Sequence, residues 1–355
     1  MWQLFKIVLV YKGGFFINTL IMEDVELNFI WESIQNSQLI FHPDIAPDGQ
    51  FDFKKFYQTK SKKDMILFLD RNVLSSLIRL CKEGKLEDKE ETQLVGMIMV
   101  WALMNNIPIS AGAAIQEYAT KINSQQDALE ELKIFLNIFD YYPSQMWLDI
   151  ACGRLNEIPI LQKLQDIDDV TAVYNQGTDH YYMTYATMLH IVLLLRKKDF
   201  TPADRFINLL DWTFDNLLIC QYTLVYAAML FTNQENIKAP KAAFSNDINK
   251  VISGCKNQSW DITYLSSWSV FYMNPDEYPE EFFFTTNDIL LKRIFINTHG
   301  FEGVNGLLWE VFSKKDYNRI IDRYQLRIQS RNKPKFGDNP IDYPELPEMI
   351  LTQSL

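Results

Sequence analysis

The alternation of apolar and charged segments first points to a buried strand at 65–69. These five apolar residues lie between charged segments, which is typical of a parallel strand covered on both faces. Asp70 follows directly, and Asn72 is placed to cap a helix whose apolar positions begin at Val73. The pattern then predicts a helix over 91–104, a short strand over 107–110 and a helix over 111–121. A strand, helix pair, strand and helix indicate a parallel sheet with crossovers.

From about 125 to 254 the apolar period is helical throughout, and we expect five or six helices there. At the start of the chain we predict a buried edge strand over 3–11. Strand-like patterning returns after residue 254, where we predict a helix from Asp261 to about Tyr272, a strand over 281–285 and a helix from Asp288. A helix over 314–332 and an extended tail holding Pro340, Pro344 and Pro347 end the chain.

Composition narrows the class of protein. Of the 355 residues, 48% are hydrophobic and 22% charged, which is the balance of a globular protein with a sizeable core. The four cysteines form no Cys-x-x-Cys pair, and the four histidines show no metal-ligand spacing, so disulfide and zinc scaffolds are disfavoured. Without a leader-like start or an apolar run of membrane length, the sequence predicts a soluble, cytoplasmic protein with no membrane partner.

The net charge of −11 is unevenly distributed. The segment 314–335 holds eight basic and two acidic residues, so it is strongly positive in a negative chain. On a helix, five of its cations would form a stripe suited to successive phosphates of a nucleic acid: Lys315, Arg319, Arg323, Arg327 and Arg331. A solvated helix face or a surface for a protein partner is the competing interpretation. A second group of cations precedes the first predicted strand of the sheet and could border the crevice at the carboxyl ends of the strands: the lysines at 54, 55, 60, 62 and 63.

Four acids are placed where such a sheet would present them to one crevice. Asp70 and Asp288 follow predicted strands, and ligands bind outside the carboxyl ends of strands in open α/β sheets. Asp261 is predicted to open a helix, and Glu117 lies within one. Clustered carboxylates repel one another unless a cation joins them, and Mg²⁺ or Mn²⁺ prefers such oxygen ligands. Each acid taken singly is more often a helix cap or a solvated charge.

Four segments resemble the PIN-like family of metal-dependent nucleases: LFLDRNVLSSL (67–77), IPISAGAAIQEYA (107–119), WDITYLSSWSVF (260–271) and FFFTTNDILL (282–291). The order of acids along the chain, Asp, Glu, Asp, Asp, is the order in that family. The resemblance implies metal-binding roles for Asp70, Glu117, Asp261 and Asp288. It also implies supporting polar roles for Asn72 and Thr286.

The resemblance covers under a third of the chain and implies a three-layer α/β/α core with a central parallel sheet and a large all-helical insertion. The segments would be an N-terminal extension (1–60), the two parts of the core (61–124 and 255–312), the insertion (125–254) and a basic helix with a proline-containing tail (313–355). The expected activity is phosphodiester hydrolysis, on single-stranded RNA more than on DNA.

Two other interpretations remain open. The first is a non-catalytic scaffold that binds a protein or nucleic-acid partner through the helical insertion and the basic helix. The second is an unrelated helical enzyme, which would be favoured if 65–69 and 282–285 were not neighbouring strands. A homodimer or a regulatory protein partner is compatible with the apolar surplus of the insertion.

Overall fold

A computed structural model describes residues 20–162, 164–165, 172–330, 345–347 and 349–350. The predicted strand over 3–11, Arg331 and most of the predicted tail lie outside the described residues. The chain divides into two compact units, each discontinuous in sequence. Unit 1 comprises Met1–Gln176 and Trp268–Asp288, and unit 2 comprises Gly177–Ser267 and Ile289–Leu355. These bounds differ from the predicted segments, whose division into core and insertion stays a prediction.

The described part of unit 1 holds a four-stranded sheet and seven helices ahead of its second segment. The strands are β1 (Ile40–Phe41), β2 (Met65–Leu69), β3 (Ile109–Ser110) and β4 (Glu281–Thr285). The helices are α1 (Asp24–Asn36), α2 (Phe53–Lys60), α3 (Arg71–Glu83), α4 (Lys89–Met104), α5 (Gly112–Ile122), α6 (Gln125–Tyr141) and α7 (Ser144–Ala151).

The sheet has the strand order β1-β4-β2-β3. All five residues of β2 are buried, which explains its unbroken apolar sequence: it has neighbours on both edges and is covered on both faces. β3 and β4 both run parallel to β2, and Leu69 lies beside Thr285 at the end of the β2–β4 pair. The strands at 65–69 and 282–285 are therefore neighbours, as the sheet interpretation requires.

β1 departs from the predicted parallel arrangement. β1 pairs with β4 in the antiparallel sense, with Ile40 beside Thr285 and Phe41 beside Phe284, so the sheet is mixed. A strand of two residues shows no periodicity in the sequence. It exists here because β4 offers it an open edge, and that is a property of the tertiary structure.

One end of the unit 1 core is built from aromatic rings. We call this the aromatic cluster: Trp31, Phe51, Phe56, Trp101 and Phe283. The ring centroids of Trp31 and Trp101 lie 6.0 Å apart with their planes nearly perpendicular. Edge-to-face packing of this kind adds to the stabilisation that burial of the rings provides.

Unit 2 is helical in its described residues. Its helices are α8 (Asp179–Arg196), α9 (Pro202–Asn216), α10 (Gln221–Phe231), most of α11 (Ile248–Met273), α12 (Ile289–His299), α13 (Gly303–Val311) and α14 (Lys314–Ser330). Ten of the eleven residues of α10 are buried, so this helix is apolar all round and lies at the centre of the unit. It contacts α8, α9, α12 and α13.

The beginning of α11 corrects a second expectation. Asp261 was predicted to open a helix, but α11 begins at Ile248 and Asp261 lies in its middle. The helix begins after Asp247, whose Oδ1 accepts a 3.0 Å hydrogen bond from the Asn249 N–H. Among the described residues, no helix is long and apolar enough to cross a membrane.

Candidate functional site

The carboxyl ends of the three parallel strands meet at one edge of the unit 1 sheet. β2 leads into Asp70, β4 leads into Thr286 and β3 leads into α5, which carries Glu117. The backbone continues the pairing one step beyond the strands, because the Asp70 N–H donates to the Thr285 carbonyl at 3.1 Å. The sheet register therefore fixes these side chains near one another.

Asp70 is 2% exposed, and each of its carboxylate oxygens accepts a hydrogen bond. Its Oδ1 accepts a short hydrogen bond from the Asn72 backbone N–H, so Asp70 is the N-cap of α3. Its Oδ2 accepts a short hydrogen bond from the hydroxyl of Thr286, which is fully buried. The expectation that Asn72 caps this helix was wrong, because the cap lies two residues earlier and Asn72 itself is exposed.

Thr286 joins two of the predicted acids. Its hydroxyl donates to Asp70 and accepts a 2.9 Å hydrogen bond from the backbone N–H of Asp288. Its own N–H donates to the Leu39 carbonyl at 3.1 Å, which anchors it to the segment before β1. Thr286 thus orients the Asp70 carboxylate and fixes the backbone that carries Asp288.

Glu117 is 3% exposed, on the buried face of α5. Its Oε1 lies 2.5 Å from the ammonium of Lys121, one helical turn further along. The Lys121 side chain is 38% exposed, so the pair reaches from the interior to solvent. No expectation from the sequence involved Lys121, although a glutamate and a lysine four residues apart on a helix are a recognisable signal.

The charges of these acids act on one another. Burial, the largest cause, and the charges of Glu117 and Asp288 together raise the pKa of Asp70 to about 7, although the hydrogen bonds from Thr286 and Asn72 act to lower it. We call Asp70, Glu117 and Asp288 the acid cluster. The structure brings together three of the four predicted carboxylates, each within the electrostatic reach of Asp70.

Asp261, the fourth predicted acid, belongs to unit 2. It is partly exposed in the middle of α11, where its Oδ2 accepts a 3.0 Å hydrogen bond from the Gln258 amide. Burial raises the pKa of the Tyr226 hydroxyl, and the charges of Cys255 and Asp261 contribute to the same shift. A metal-binding role for Asp261 stays a prediction.

The predicted basic stripe on α14 is paired with acids of α9. Arg319 contacts Asp204 at 2.7 Å, Arg323 contacts Asp211 at 2.7 Å, and Arg327 contacts Asp215 and Asp211. We call these three arginines and three aspartates the arginine ladder. α14 packs against α9, so each of these three guanidinium groups meets a carboxylate, and a role of the stripe in binding nucleic acid stays a prediction. Lys315 is exposed.

The acids of the ladder carry a signal that sequence reasoning missed. Asp204, Asp211 and Asp215 are separated by seven and four residues, which places them on one face of a helix. An acidic face on one amphipathic helix and a basic face on another favour packing of the two helices as strongly as they favour a nucleic acid.

Lys63, which precedes β2, lies at the end of the parallel strands opposite to Asp70. Lys63 contacts the Oε1 of Glu281, the first residue of β4, at 2.5 Å. The other oxygen of Glu281 accepts a 2.9 Å hydrogen bond from Nε2 of the buried His42. That ring carries its proton on Nε2, because its Nδ1 accepts from the backbone N–H of Asp44. Lys63 therefore does not border the acid cluster.

No family model, no curated protein and no solved structure matches the chain. Among the described residues, no group of three or more His, Cys, Asp or Glu side chains stands close enough to hold a metal ion together.

Proposed function

We propose that unit 1 binds a divalent cation, Mg²⁺ or Mn²⁺, at the acid cluster and hydrolyses phosphodiester bonds of nucleic acid, single-stranded RNA in preference to DNA. The observation that carries the proposal is the buried Asp70 carboxylate at the carboxyl end of a parallel strand, whose pKa the like charges of Glu117 and Asp288 help to raise. The preference for RNA rests on the PIN-like resemblance alone.

The donor chemistry of the cluster fits the ion. Three carboxylates offer hard oxygen ligands, and their mutual repulsion is relieved by a cation. Their present spacing is not closed around an ion, so binding requires side-chain movement. When bound, the ion would supply Lewis acidity and a water of lowered pKa for attack on phosphorus.

Each acid of the cluster has a separate role in this proposal. Asp70 is the central ligand, and its orientation is fixed by the Asn72 N–H and the Thr286 hydroxyl. Asp288 is a second ligand, on backbone that Thr286 holds. Glu117 completes the site or orients the attacking water. The proposal needs no contribution from the arginine ladder, whose cations are already paired.

The experiment is a cleavage assay on labelled single-stranded RNA and DNA, with Mn²⁺, with Mg²⁺ and with chelator. The wild type is compared with Asp70→Asn and with Asp64→Asn, a matched change at the exposed, opposite end of the same strand. We expect metal-dependent cleavage that Asp70→Asn abolishes and Asp64→Asn retains. Full activity of Asp70→Asn, or equal cleavage in chelator, would contradict the proposal.

The non-catalytic scaffold is the second candidate. Its supporting observation is the apolar surface of unit 2, where Phe301 is fully exposed and Trp309 is 54% exposed. Thermal unfolding with and without Mn²⁺ separates the two, because an ion bound only by the folded state raises the unfolding temperature. A scaffold without the metal site would unfold at the same temperature in both.

A further inference from the structure

The last described part of the chain, residues 345–350, packs against unit 2, and we call it the tail segment. Within it, the Met349 N–H donates to the Glu345 carbonyl at 3.0 Å, which closes one turn of helix. Pro347 and Ile350 are buried, whereas Glu345 is exposed and Met349 is 51% exposed. The tail segment is therefore amphipathic, and it turns one apolar side towards the unit.

The surface beneath the tail segment is apolar and belongs to α8 and the end of α9. Leu346 packs there against Met183 and Leu217, which are both buried and form a small cluster of their own. Partly buried apolar side chains surround this pair. We call the surface the tail site, and its residues are Tyr182, Met183, Trp212, Leu217 and Leu218.

A neutral histidine completes the apolar character of the tail site. The ring of Trp212 stacks on that of His190, with centroids 4.4 Å apart and planes 9° from parallel. Burial and the charge of Lys197 lower the pKa of His190 to about 4, so this imidazole carries no charge at neutral pH. The tail site therefore favours an apolar ligand such as the buried side of the tail segment.

The tail segment gains little free energy from these contacts. Burial of its apolar side chains must offset the conformational entropy lost when the segment becomes ordered, and the two contributions are similar in size. Residues 331–344 join the segment to the end of α14, so it is a ligand on the same chain, with an effective concentration on the order of millimolar. A contact that depends on this connection opens readily and closes again.

We propose that the tail site binds a short amphipathic peptide helix, that the tail segment occupies it as a ligand in cis, and that a partner peptide with apolar residues at positions i, i+1 and i+4 displaces this segment. The spacing is that of Leu346, Pro347 and Ile350, and helices that dock on apolar surfaces use anchors of this kind. This inference goes beyond the proposed function, because it concerns unit 2 and does not involve the acid cluster.

The first test is fluorescence anisotropy with a fluorescein-labelled peptide of residues 341–355. The peptide is titrated with the wild type and with the double variant Leu346→Asp/Ile350→Asp of the whole chain, whose own tail segment no longer competes. We expect the double variant to bind about tenfold more tightly, because the wild-type site is available only while its tail segment is released. The control Met349→Asp places a charge on the exposed side of the same segment and should bind like the wild type.

A change in the tail site itself shows where the peptide binds. Adding Leu218→Asp to the double variant should abolish binding, because it places a charge among the apolar residues of the site. Equal affinity of the wild type and the double variant, or no binding by either, would overturn the proposal. A molar mass that rises with concentration for the wild type alone, measured by light scattering, would show that a second copy fills the site and would overturn the assignment in cis.

A second test uses only the wild type, in case the double variant does not fold. Hydrogen exchange is followed by mass spectrometry with and without excess peptide, which carries norleucine in place of Met349 so that its mass differs from that of the protein segment. We expect exchange in residues 345–350 of the protein to become severalfold faster with peptide, while α8 keeps its protection. Unchanged exchange of the tail segment in excess peptide would refute the displacement.

Discussion

The acid cluster and the arginine ladder show opposite uses of charge. In the acid cluster, like charges converge on a buried carboxylate, and burial with two neighbouring acids raises the pKa of Asp70 to about 7. In the ladder, opposite charges pair across two packed helices, with Arg323 37% exposed and its partner Asp211 26% exposed. The acid cluster opposes folding, so its presence needs an explanation other than stability. The paired charges of the ladder are explained by the packing of the two helices.

This contrast shows what a charge pattern in the sequence can and cannot say. The regular spacing of the arginines is the more conspicuous of the two patterns, yet its cations are compensated within unit 2. The acids are scattered over more than two hundred residues, yet the charges of Glu117 and Asp288 both act on Asp70. The spacing of charged residues along one helix shows that they share a face of that helix. What the face does depends on what it packs against, which the spacing does not show.

The largest expected effect comes from removing the charge of Asp70. In chelator at pH 8, we expect Asp70→Asn to raise the free energy of unfolding by roughly 2–3 kcal/mol, because the ionised form is disfavoured in the fold. Asparagine also remains a good helix cap. Urea unfolding of the two proteins measures the difference.

The pH dependence provides the control for that prediction. The pKa of Asp70 in the fold is about 7, above its ordinary value, so its favourable contribution is present at low pH and is lost as the pH rises towards 7. The gain from Asp70→Asn should therefore shrink towards pH 4. An equal gain at pH 4 and pH 8 would show that charge is not its cause.

The next effect separates burial from pairing, because Glu281 is partly buried and also paired with His42 and Lys63. Burial raises the pKa of Glu281, but the hydrogen bonds from His42 and Lys63 outweigh it and hold the pKa at about 2. We expect Glu281→Gln to lower the free energy of unfolding by roughly 1–2 kcal/mol at pH 7.

This loss should shrink in acid. The pKa of Glu281 is lowered in the fold, so its contribution is present above its ordinary value of 4.5 and is lost as the pH falls towards 2. Urea unfolding at pH 7 and pH 3 measures this. A deficit of the same size at both values would mean that Glu281 acts through packing.

A smaller effect is expected from opening one step of the ladder. Arg323→Met removes the contact with Asp211 while keeping much of the apolar stem, and exposed ion pairs contribute little. We expect a loss of roughly 0.5 kcal/mol at low salt, and less in high salt because the charges are screened. A loss above about 2 kcal/mol would give the ladder a larger structural role than its exposure indicates.

The smallest effect is expected on binding of nucleic acid. Replacing Arg319, Arg323 and Arg327 together with methionine should leave the affinity for single-stranded RNA and its salt dependence unchanged, since the cations are already paired. Fluorescence anisotropy over a range of salt concentrations measures this. Weaker binding with a reduced salt slope would restore the basic stripe as an RNA surface.

The elements that sequence reading predicted are those whose apolar pattern is local. Each of the elements β2, β4 and α5 has at least five residues, enough for a pattern of apolar positions to be recognised in the sequence. The acids that follow these strands or lie within this helix could therefore be identified. β1 could not be predicted, because its two residues depend on the free edge of β4. The start of α11 was misplaced because Asp261 resembles a cap, although Asp247 is the residue that caps the helix.

The same distinction applies to the candidate site. Asp70, Glu117 and Asp288 could be named because each follows or occupies an element with a clear pattern. The role of Thr286 as the link between two acids depends on strand register, which the sequence does not specify. The pairing of α14 with α9 depends on which helices pack together, so no pattern within α14 alone could reveal it.

The aromatic cluster gives unit 1 an optical signature of its own. Trp31 and Trp101 are close enough, and fixed at nearly perpendicular angles, for their electronic transitions to couple. Coupled indoles in a rigid chiral setting produce strong near-ultraviolet circular dichroism, which vanishes once the rings lose their mutual orientation. The protein therefore carries a native reporter of the packing of its unit 1 core, which can be followed without attaching a dye.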